Sequence, residues 1–420
     1  MRTLFDIINR SMRSILSLVA LLAGFVGHTQ TQVTLEEAVA QALRNSKNIQ
    51  AASLNIDYQQ QVKRSATDIG KTSVMYMRGQ YNSYVKNDNN ITITQSIPFP
   101  TVFTSQNALG KSLVRGGELQ KAATENELAF QVKQAFYELQ YRKAREVLLA
   151  QQDSIFGNLV KAAEVRYRTG ETRLLEKTSI ETQHSEAANA LAQARGDIAI
   201  YQRLLSTLMN SPTLVDIVSQ DLDERSLSIA LDTASARQNP RLAYLRQQVV
   251  IAEAERKVAG AKFLPDINLG YFNQTLIGTA RNESGSLASS SDRFQGFQVG
   301  VSLPLWFGPQ AAKVRASAIN RERAQATFEY DQTIMQGQWQ QAVQEYIKDK
   351  SSVDHYKGSA LKNAELLLKQ SELAFRSGEI DYTELWLTTR NAIQIRENYL
   401  NSLNNLNQSV ITLEFLAGVN

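Results

Sequence analysis

The chain has three histidines, His28, His184 and His355, and no cysteine. Without thiols there are no disulfides, thiolate metal sites or cysteine nucleophiles. A zinc site needs several histidines, or histidine with carboxylates, at helix-face or loop spacing. None of the three has such neighbours, so they read as surface or packing residues. Met75 and Met77 flank Tyr76, and in a strand that spacing sends both thioethers to one face, where soft ligands would suit copper. Filler on a barrel wall is the simpler reading. No phosphate-cradling glycine loop, nucleophile elbow or dinucleotide fingerprint is present. The acidic residues fall at helical-surface spacing rather than as an acid/base pair. These residues point to no enzyme, no metal and no cofactor.

The informative chemistry is repeated rather than concentrated. Residues 164–176 read EVRYRTGETRLLE and residues 372–384 read ELAFRSGEIDYTE, with Glu, Arg, Gly, Glu and a final Glu in matching places. Ser96-Ile97-Pro98-Phe99 returns as Ser302-Leu303-Pro304-Leu305, and LRNSKNI (43–49) echoes ARQNPRL (236–242). Three matches in the same order argue for a duplication, with one repeat over 30–225 and a second over 226–420. The glycines in the first pair suit tight turns at positive φ.

Each half reads helix, strand, strand, long helix, turn, long helix. The first helix is expected from Thr34, an N-cap with Glu37 three residues on, to about Ala66. Strands are expected near 72–85 and 90–98, then near 266–276 and 295–304. Ile91, Ile93 and Ile97 alternate with Thr92, Thr94 and Ser96, while Phe297, Val299, Val301 and Leu303 alternate with Gln298, Gly300 and Ser302. That is period two, with one apolar and one small or polar face. Lys86–Asn90 and the longer Ser/Gly/Asn-rich stretch Gly278–Arg293 read as hairpin loops. Leu128, Val132, Ala135 and Leu139 keep heptad spacing, as do Met335, Trp339, Ala342 and Tyr346. If 105–168 is one helix it extends about 96 Å at 1.5 Å per residue, with Gly157 and Gly358 as candidate interruptions of the rods. The hairpin turns fall near 170 and 378.

Arg2, Arg10 and Arg13 precede the apolar run Ile15–Val26 and a small polar exit, the pattern of a secretory signal over 1–29. The run is too short to span a bilayer, which takes about 20 residues. Cleavage is expected between Gly27 and Gln32. The formal charge is only +4, from 45 basic and 41 acidic residues, without the clustered basic footprint of a nucleic-acid binder. An exported chain with no second long apolar segment is either free outside the inner membrane or a barrel in the outer one. Four strands with one lipid-compatible face cannot stand alone in lipid, because their edge groups would lack partners. The smallest common barrels use about eight strands and are filled by side chains. Two or more chains must therefore share one barrel. Tyr76, Tyr81, Tyr84, Tyr271, Phe272, Phe294 and Phe297 supply aromatics for its girdles.

The signal, the duplicated strand-pair-and-hairpin unit, proline at both strand-to-helix junctions and glycine at both hairpin tips resemble the TolC-type outer-membrane efflux family. The resemblance covers essentially the whole mature chain, and its cation and multidrug efflux flavours are the nearest. It implies a mainly α fold with a small membrane β-barrel: a homotrimer with a twelve-stranded barrel and a long periplasmic α-helical barrel. Its partners would be a periplasmic adaptor (membrane fusion protein), an inner-membrane efflux pump and outer-membrane lipid, with no nucleic acid. The chain would be a passive export duct from periplasm to exterior.

By the same resemblance Arg168, Thr169, Gly170 and Glu171, with Arg376, Ser377, Gly378 and Glu379, form the adaptor-docking tips. Glu384 matches the family's first pore-facing acidic position, and Glu176 is its first-half partner. Three copies of Glu384 on a three-fold axis would make a carboxylate ring that concentrates cations. The family's second acidic position falls on Leu387 here, with Asp381 one turn earlier as a substitute. Pro98, Pro100, Pro304 and Pro309 sit where strand becomes helix, because proline ends strand pairing and tolerates a helix start. The competing reading is a periplasmic coiled-coil scaffold or adaptor, which explains the rods but not the paired strands.

Overall fold

The computed structural model describes residues 31–80, 84–219, 221–232 and 235–419. The signal segment 1–29 and Tyr81 lie outside the described residues. The elements in chain order are β1 (Thr31–Val33), α1 (Leu35–Asn45), α2 (Lys47–Arg64), β2 (Ser73–Arg78), β3 (Asn89–Ile97), α3 (Pro100–Arg168) and α4 (Leu174–Leu208). Then follow β4 (Val215–Ile217), α5 (Pro240–Ala261), β5 (Asp266–Gln274), β6 (Phe294–Ser302), α6 (Phe307–His355), α7 (Leu361–Ser377) and α8 (Tyr382–Ala417). Helix–strand–strand–long helix–helix thus occurs twice. Among the described residues no helix is long and apolar enough to cross a membrane.

Two compact units emerge, and each draws on both sequence halves. Of the described residues, one unit gathers those up to 46, 125–231 and from 339 on, and the other those in 47–124 and 232–338. In the first, β1 pairs in parallel with β4. Val132, Ala135 and Leu139 of α3 pack there with Ala38 and Ala42 of α1, Leu205 and Met209, and Val215 and Ile217. A second cluster joins Val353 to Leu403, Leu406 and Val410 of α8, with Leu222 and Leu227 of the inter-repeat segment against it. The apolar spacing on α3 is thus its buried stripe.

The second unit holds an antiparallel sheet in the order β2-β3-β5-β6. Its register sorts the side chains by face. Val74, Ile93, Tyr271 and Phe297 stand opposite one another in one row, and Ile97, Ile267 and Val301 in another. The alternate rows are Met75-Thr92-Phe272-Gly296 and Thr94-Gly270-Gln298. Because side chains alternate along a strand, one face is therefore mainly apolar, with Gln95, Asn273 and Gln295 among its residues. The other is mostly small or polar, with Met75 and Phe272 among its large apolar exceptions. The apolar face is bare: Phe297 is 86% exposed, Val299 79% and Val301 62%. On the other face the Phe272 ring covers Gly296, where an added Cβ would meet it at 2.8 Å. Neither β2 nor β6 has a partner on its outer edge among the described residues.

Two boundaries differ clearly from the sequence expectation. The first helix is two, α1 and α2, separated at Ser46, whose backbone is extended (φ −63°, ψ 120°). The end of α1 is held by the end of α4: Asn45 Nδ2 donates to the Met209 carbonyl at 3.4 Å, and Asn210 Nδ2 to the Asn45 carbonyl at 3.1 Å. The capping box at its start is present, with Thr34 N donating to Glu37 Oε2 at 2.9 Å and Glu37 N to Thr34 Oγ1 at 3.3 Å. The first strand stops at Arg78 rather than near 85. Gly79 turns to φ +138°, and its N–H closes the pair on the Asp88 carbonyl at 2.9 Å. The buried Asp88 carboxylate then takes Thr275 Oγ1 and Ile277 N, both at 3.0 Å, so Tyr84 belongs to the connecting loop.

The interruptions also divide. Gly157 leaves α3 unbroken over its 69 residues; the missing side chain instead makes room for His184, whose Nε2 would lie 3.3 Å from an added Cβ. Gly358 does sit in an irregularity, a π turn over Tyr356–Ala360 between α6 and α7. The prolines stand at the junctions, Pro98 just after β3, Pro100 opening α3, Pro304 just after β6 and Pro309 in the first turn of α6.

Candidate functional site

The two hairpin turns in the first unit are built alike, bond for bond. Gly170 has φ +77° and Gly378 φ +80°, the left-handed conformation that glycine adopts without cost. The Gly170 N–H reaches the Tyr167 carbonyl and the Gly378 N–H the Phe375 carbonyl, each at 3.2 Å. The next N–H, of Glu171 or Glu379, reaches back to the Arg166 or Ala374 carbonyl at 2.8 and 2.9 Å. Arg168 pairs with Glu164 one turn earlier at 2.9 Å, and Arg376 pairs likewise with Glu372. Thr169 and Ser377 send their hydroxyls back to carbonyls of the last helical turn. The tip sequences thus encode one turn twice, each with an exposed arginine and glutamate beside it.

Past the tips the two copies part. Asp381 is the N-cap of α8, its carboxylate accepting from Glu384 N at 2.9 Å. The Glu384 carboxylate is exposed and has no partner among the described residues. Leu387, three residues on along the same face, is also exposed. Glu176 is half-buried, and the Thr172 hydroxyl donates to its carboxylate. It faces Tyr382, the first residue of α8.

Here the two hairpins meet. Ala163, Ile180 and Tyr382 form a buried cluster, with Leu159, Val160, Phe375 and Trp386 packed against it. The Arg166 guanidinium lies 5.7 Å over the Phe375 ring and that of Arg390 5.5 Å over Trp386, within the range of cation–π attraction. Tyr382 OH and Trp386 Nε1 are buried without a hydrogen-bond partner among the described residues, an arrangement that costs about 1–3 kcal/mol per group. Burial, with a smaller contribution from the Glu176 charge, pushes the Tyr382 phenol from 10.0 up to about 12. Sequence spacing held a signal for these residues, since Tyr382, Leu385, Trp386 and Thr389 repeat at three, one and three along α8, an apolar stripe.

Tyr382 gives a pH prediction. Below about pH 10 the phenol is neutral in both folded and unfolded chains. Between there and about 12 only the unfolded chain loses the proton, so stability falls as pH rises through that window. Tyr382→Phe should lose less stability between pH 9 and 11 than the parent, measured as the urea midpoint at each pH. An equal loss in both would remove the phenol as its source.

Away from the turns, the same unit holds a buried ion cluster that sequence spacing does not reveal. Arg225 grips Glu414 through two bonds, Nε to Oε1 and Nη2 to Oε2, both 2.9 Å, and Lys133 Nζ reaches Glu414 Oε2 at 3.1 Å. Arg225 also donates to Tyr137 OH at 3.3 Å, and its backbone N–H to Asn407 Oδ1 at 2.8 Å. Among the described residues no group of three or more His, Asp or Glu side chains could hold a metal ion. His184 stands near one carboxylate, its Nε2 3.4 Å from Asp153 Oδ1.

Comparison with known proteins gives a family match over part of the chain and a fold match over most of it. The model of the outer membrane efflux protein family matches residues 233–419. None of the curated proteins matches. Solved structures with the same fold include the Vibrio cholerae outer membrane protein VceC, at 14% identity over 92% of this chain and 96% of that one, TM-score 0.72. The Neisseria gonorrhoeae MtrE outer membrane channel in its open state is 15% identical over 92% and 89%, TM-score 0.73. The Campylobacter jejuni CmeC outer membrane channel is 14% identical over 91% and 85%, TM-score 0.74.

Proposed function

We propose that this chain, a TolC-type outer-membrane efflux protein by its matched family and its fold, is one subunit of a homotrimeric passive export duct from periplasm to exterior. The observation that carries the reading is the sheet of the second unit, with one apolar face bare and both outer edges unpaired. Backbone groups at such edges have no water to satisfy them in lipid, so the sheet must close. Four strands are too few to close alone. β6 of one copy pairing with β2 of the next, three times over, makes a twelve-stranded barrel with the apolar rows toward lipid and the Thr92, Thr94 and Gln298 rows toward a wet lumen.

The other unit supplies the periplasmic end in this reading. The twin turns at Gly170 and Gly378 carry the adaptor contacts, because they offer one surface twice in each copy, with Arg168, Glu171, Arg376 and Glu379 exposed for recognition. Glu384 supplies the carboxylate ring at the constriction, with Glu176 and Asp381 behind it. The duct performs no chemistry: energy and choice of cargo lie with the inner-membrane pump.

The test is the protein mass of the mature chain extracted from outer membranes, corrected for bound detergent. A trimer supports the shared barrel. A monomer that needs no detergent would sink it in favour of a periplasmic scaffold. In the trimer, Glu384→Gln should move the reversal potential in a salt gradient toward zero, as cation preference is lost; an unchanged potential would take Glu384 out of the pore.

A further inference from the structure

We propose that the cleft between the ends of α3, α5 and α6 next to the sheet binds the headgroup phosphate of an anionic membrane phospholipid. The inference rests on the reading of the sheet as membrane-inserted. The cleft measures about 330 Å³ and is lined by Leu109, Glu255, Val258, Ala259, Lys262, Gln310 and Lys313. All of these belong to the second unit, and the volume lies within the range of ligand clefts, about 300–1,000 Å³.

Chain position sets the depth of the cleft. Lys262 caps the C-terminus of α5, four residues before β5 begins, and Gln310 and Lys313 lie in the opening turns of α6, which starts five residues after β6 ends. The Phe263 and Phe307 rings, 5.8 Å apart, hold these two helix ends together. With β5 and β6 in the hydrocarbon layer, the cleft falls where headgroups lie. Trp306 at the same junction is 86% exposed, and exposed tryptophan is typical of the interface between lipid and water.

Charge selects the ligand. The Lys262 and Lys313 ammonium groups make no ion pair or hydrogen bond among the described residues, while the single acid, Glu255, accepts from Asn320 Nδ2 at 3.0 Å. The lining therefore carries one net positive charge, the complement of one phosphodiester. Val258, Ala259 and Leu109 give an apolar floor for the glycerol end of the lipid. Lysine near a membrane surface contributes about 1 kcal/mol toward anionic lipid, about a fivefold change per residue. A choline headgroup would bring a third cation against the two lysines.

The test is native mass spectrometry of the full mature protein in detergent with dioleoylphosphatidylglycerol or dioleoylphosphatidylcholine added. The expected result is preferential retention of phosphatidylglycerol, reduced about tenfold or more in Lys262→Gln/Lys313→Gln. Lys348→Gln, an exposed lysine of the other unit, should bind as the parent does. Inorganic phosphate at millimolar concentration should not displace the lipid; displacement would make this a site for free phosphate. Equal retention of both lipids, or no change in the double variant, by a protein that still requires detergent overturns the site alone. A protein that retains neither lipid and stays in solution without detergent would fail the membrane reading itself.

Discussion

Val299→Arg is expected to remove the protein from the outer membrane, while Gln298→Arg, one residue away, leaves it there. Val299 sits opposite Leu269 on the apolar face and is 79% exposed in the single chain. Gln298 sits opposite Gly270 on the small and polar face. An arginine on the lipid face of a barrel costs about 2–4 kcal/mol at the bilayer midplane. In a three-fold assembly every substitution occurs three times, so the cost approaches about 6–12 kcal/mol, comparable to the whole stability of a typical fold. On the small and polar face, the lumen side of the proposed barrel, the same side chain finds water and neighbours such as Thr94. The measurement is the amount of each variant in the outer-membrane fraction after urea washing, against the parent. Insertion of Val299→Arg at the level of Gln298→Arg would mean that the exposed apolar rows do not meet lipid.

The face assignment was legible in the sequence because strand side chains alternate with period two whatever they pack against. The capping box at Thr34 and Glu37 and the glycine turns were legible for a similar reason: each is settled by residues within four or five positions. The break between α1 and α2 shows where such reasoning stops. It rests on Asn45 and Asn210, bonded across 164 and 165 residues, and no local window contains both. Yet the repeat held a hint. Asn239 caps α5 ahead of Pro240, a strong helix start, and Ser46 is its counterpart in the first half. Likewise β2 ends early because the buried Asp88 carboxylate is used by Thr275 and Ile277 of the other strand pair. Asp381, read from its position as a substitute acidic pore residue, caps α8. Gly157 misled for the opposite reason: glycine is a poor helix residue in isolation, but here it admits His184 from the facing helix.

Glu414→Ala should be the most damaging single change away from the sheet, costing about 3–5 kcal/mol as a buried pair that loses one partner. The carboxylate is 3% exposed and shared by Arg225 and Lys133, so its removal strands two cations rather than one. Burial alone would make the Arg225 guanidinium less basic, but the bonds to Glu414 and Tyr137 outweigh it and hold it above its ordinary value. In Glu414→Ala that support is gone, yet a guanidinium does not give up its proton in a protein, so Arg225 stays charged without its partner. The damage should spread to the segment joining the two repeats, because Arg225 N–H and the Asp223 carbonyl both bond to Asn407 of α8. The urea midpoint of the purified protein reads the loss, and a second variant separates its causes. Glu414→Leu with Arg225→Met and Lys133→Met removes every charge while filling similar volume, and such replacements are often neutral or stabilising. Recovery of most of the lost stability would show that the cluster is costly to break rather than strong in itself. Its role would then be to fix which turn of α8 faces α3 and the inter-repeat segment. A triple variant as unstable as Glu414→Ala would instead give the ion cluster a net stabilising contribution that apolar packing cannot replace.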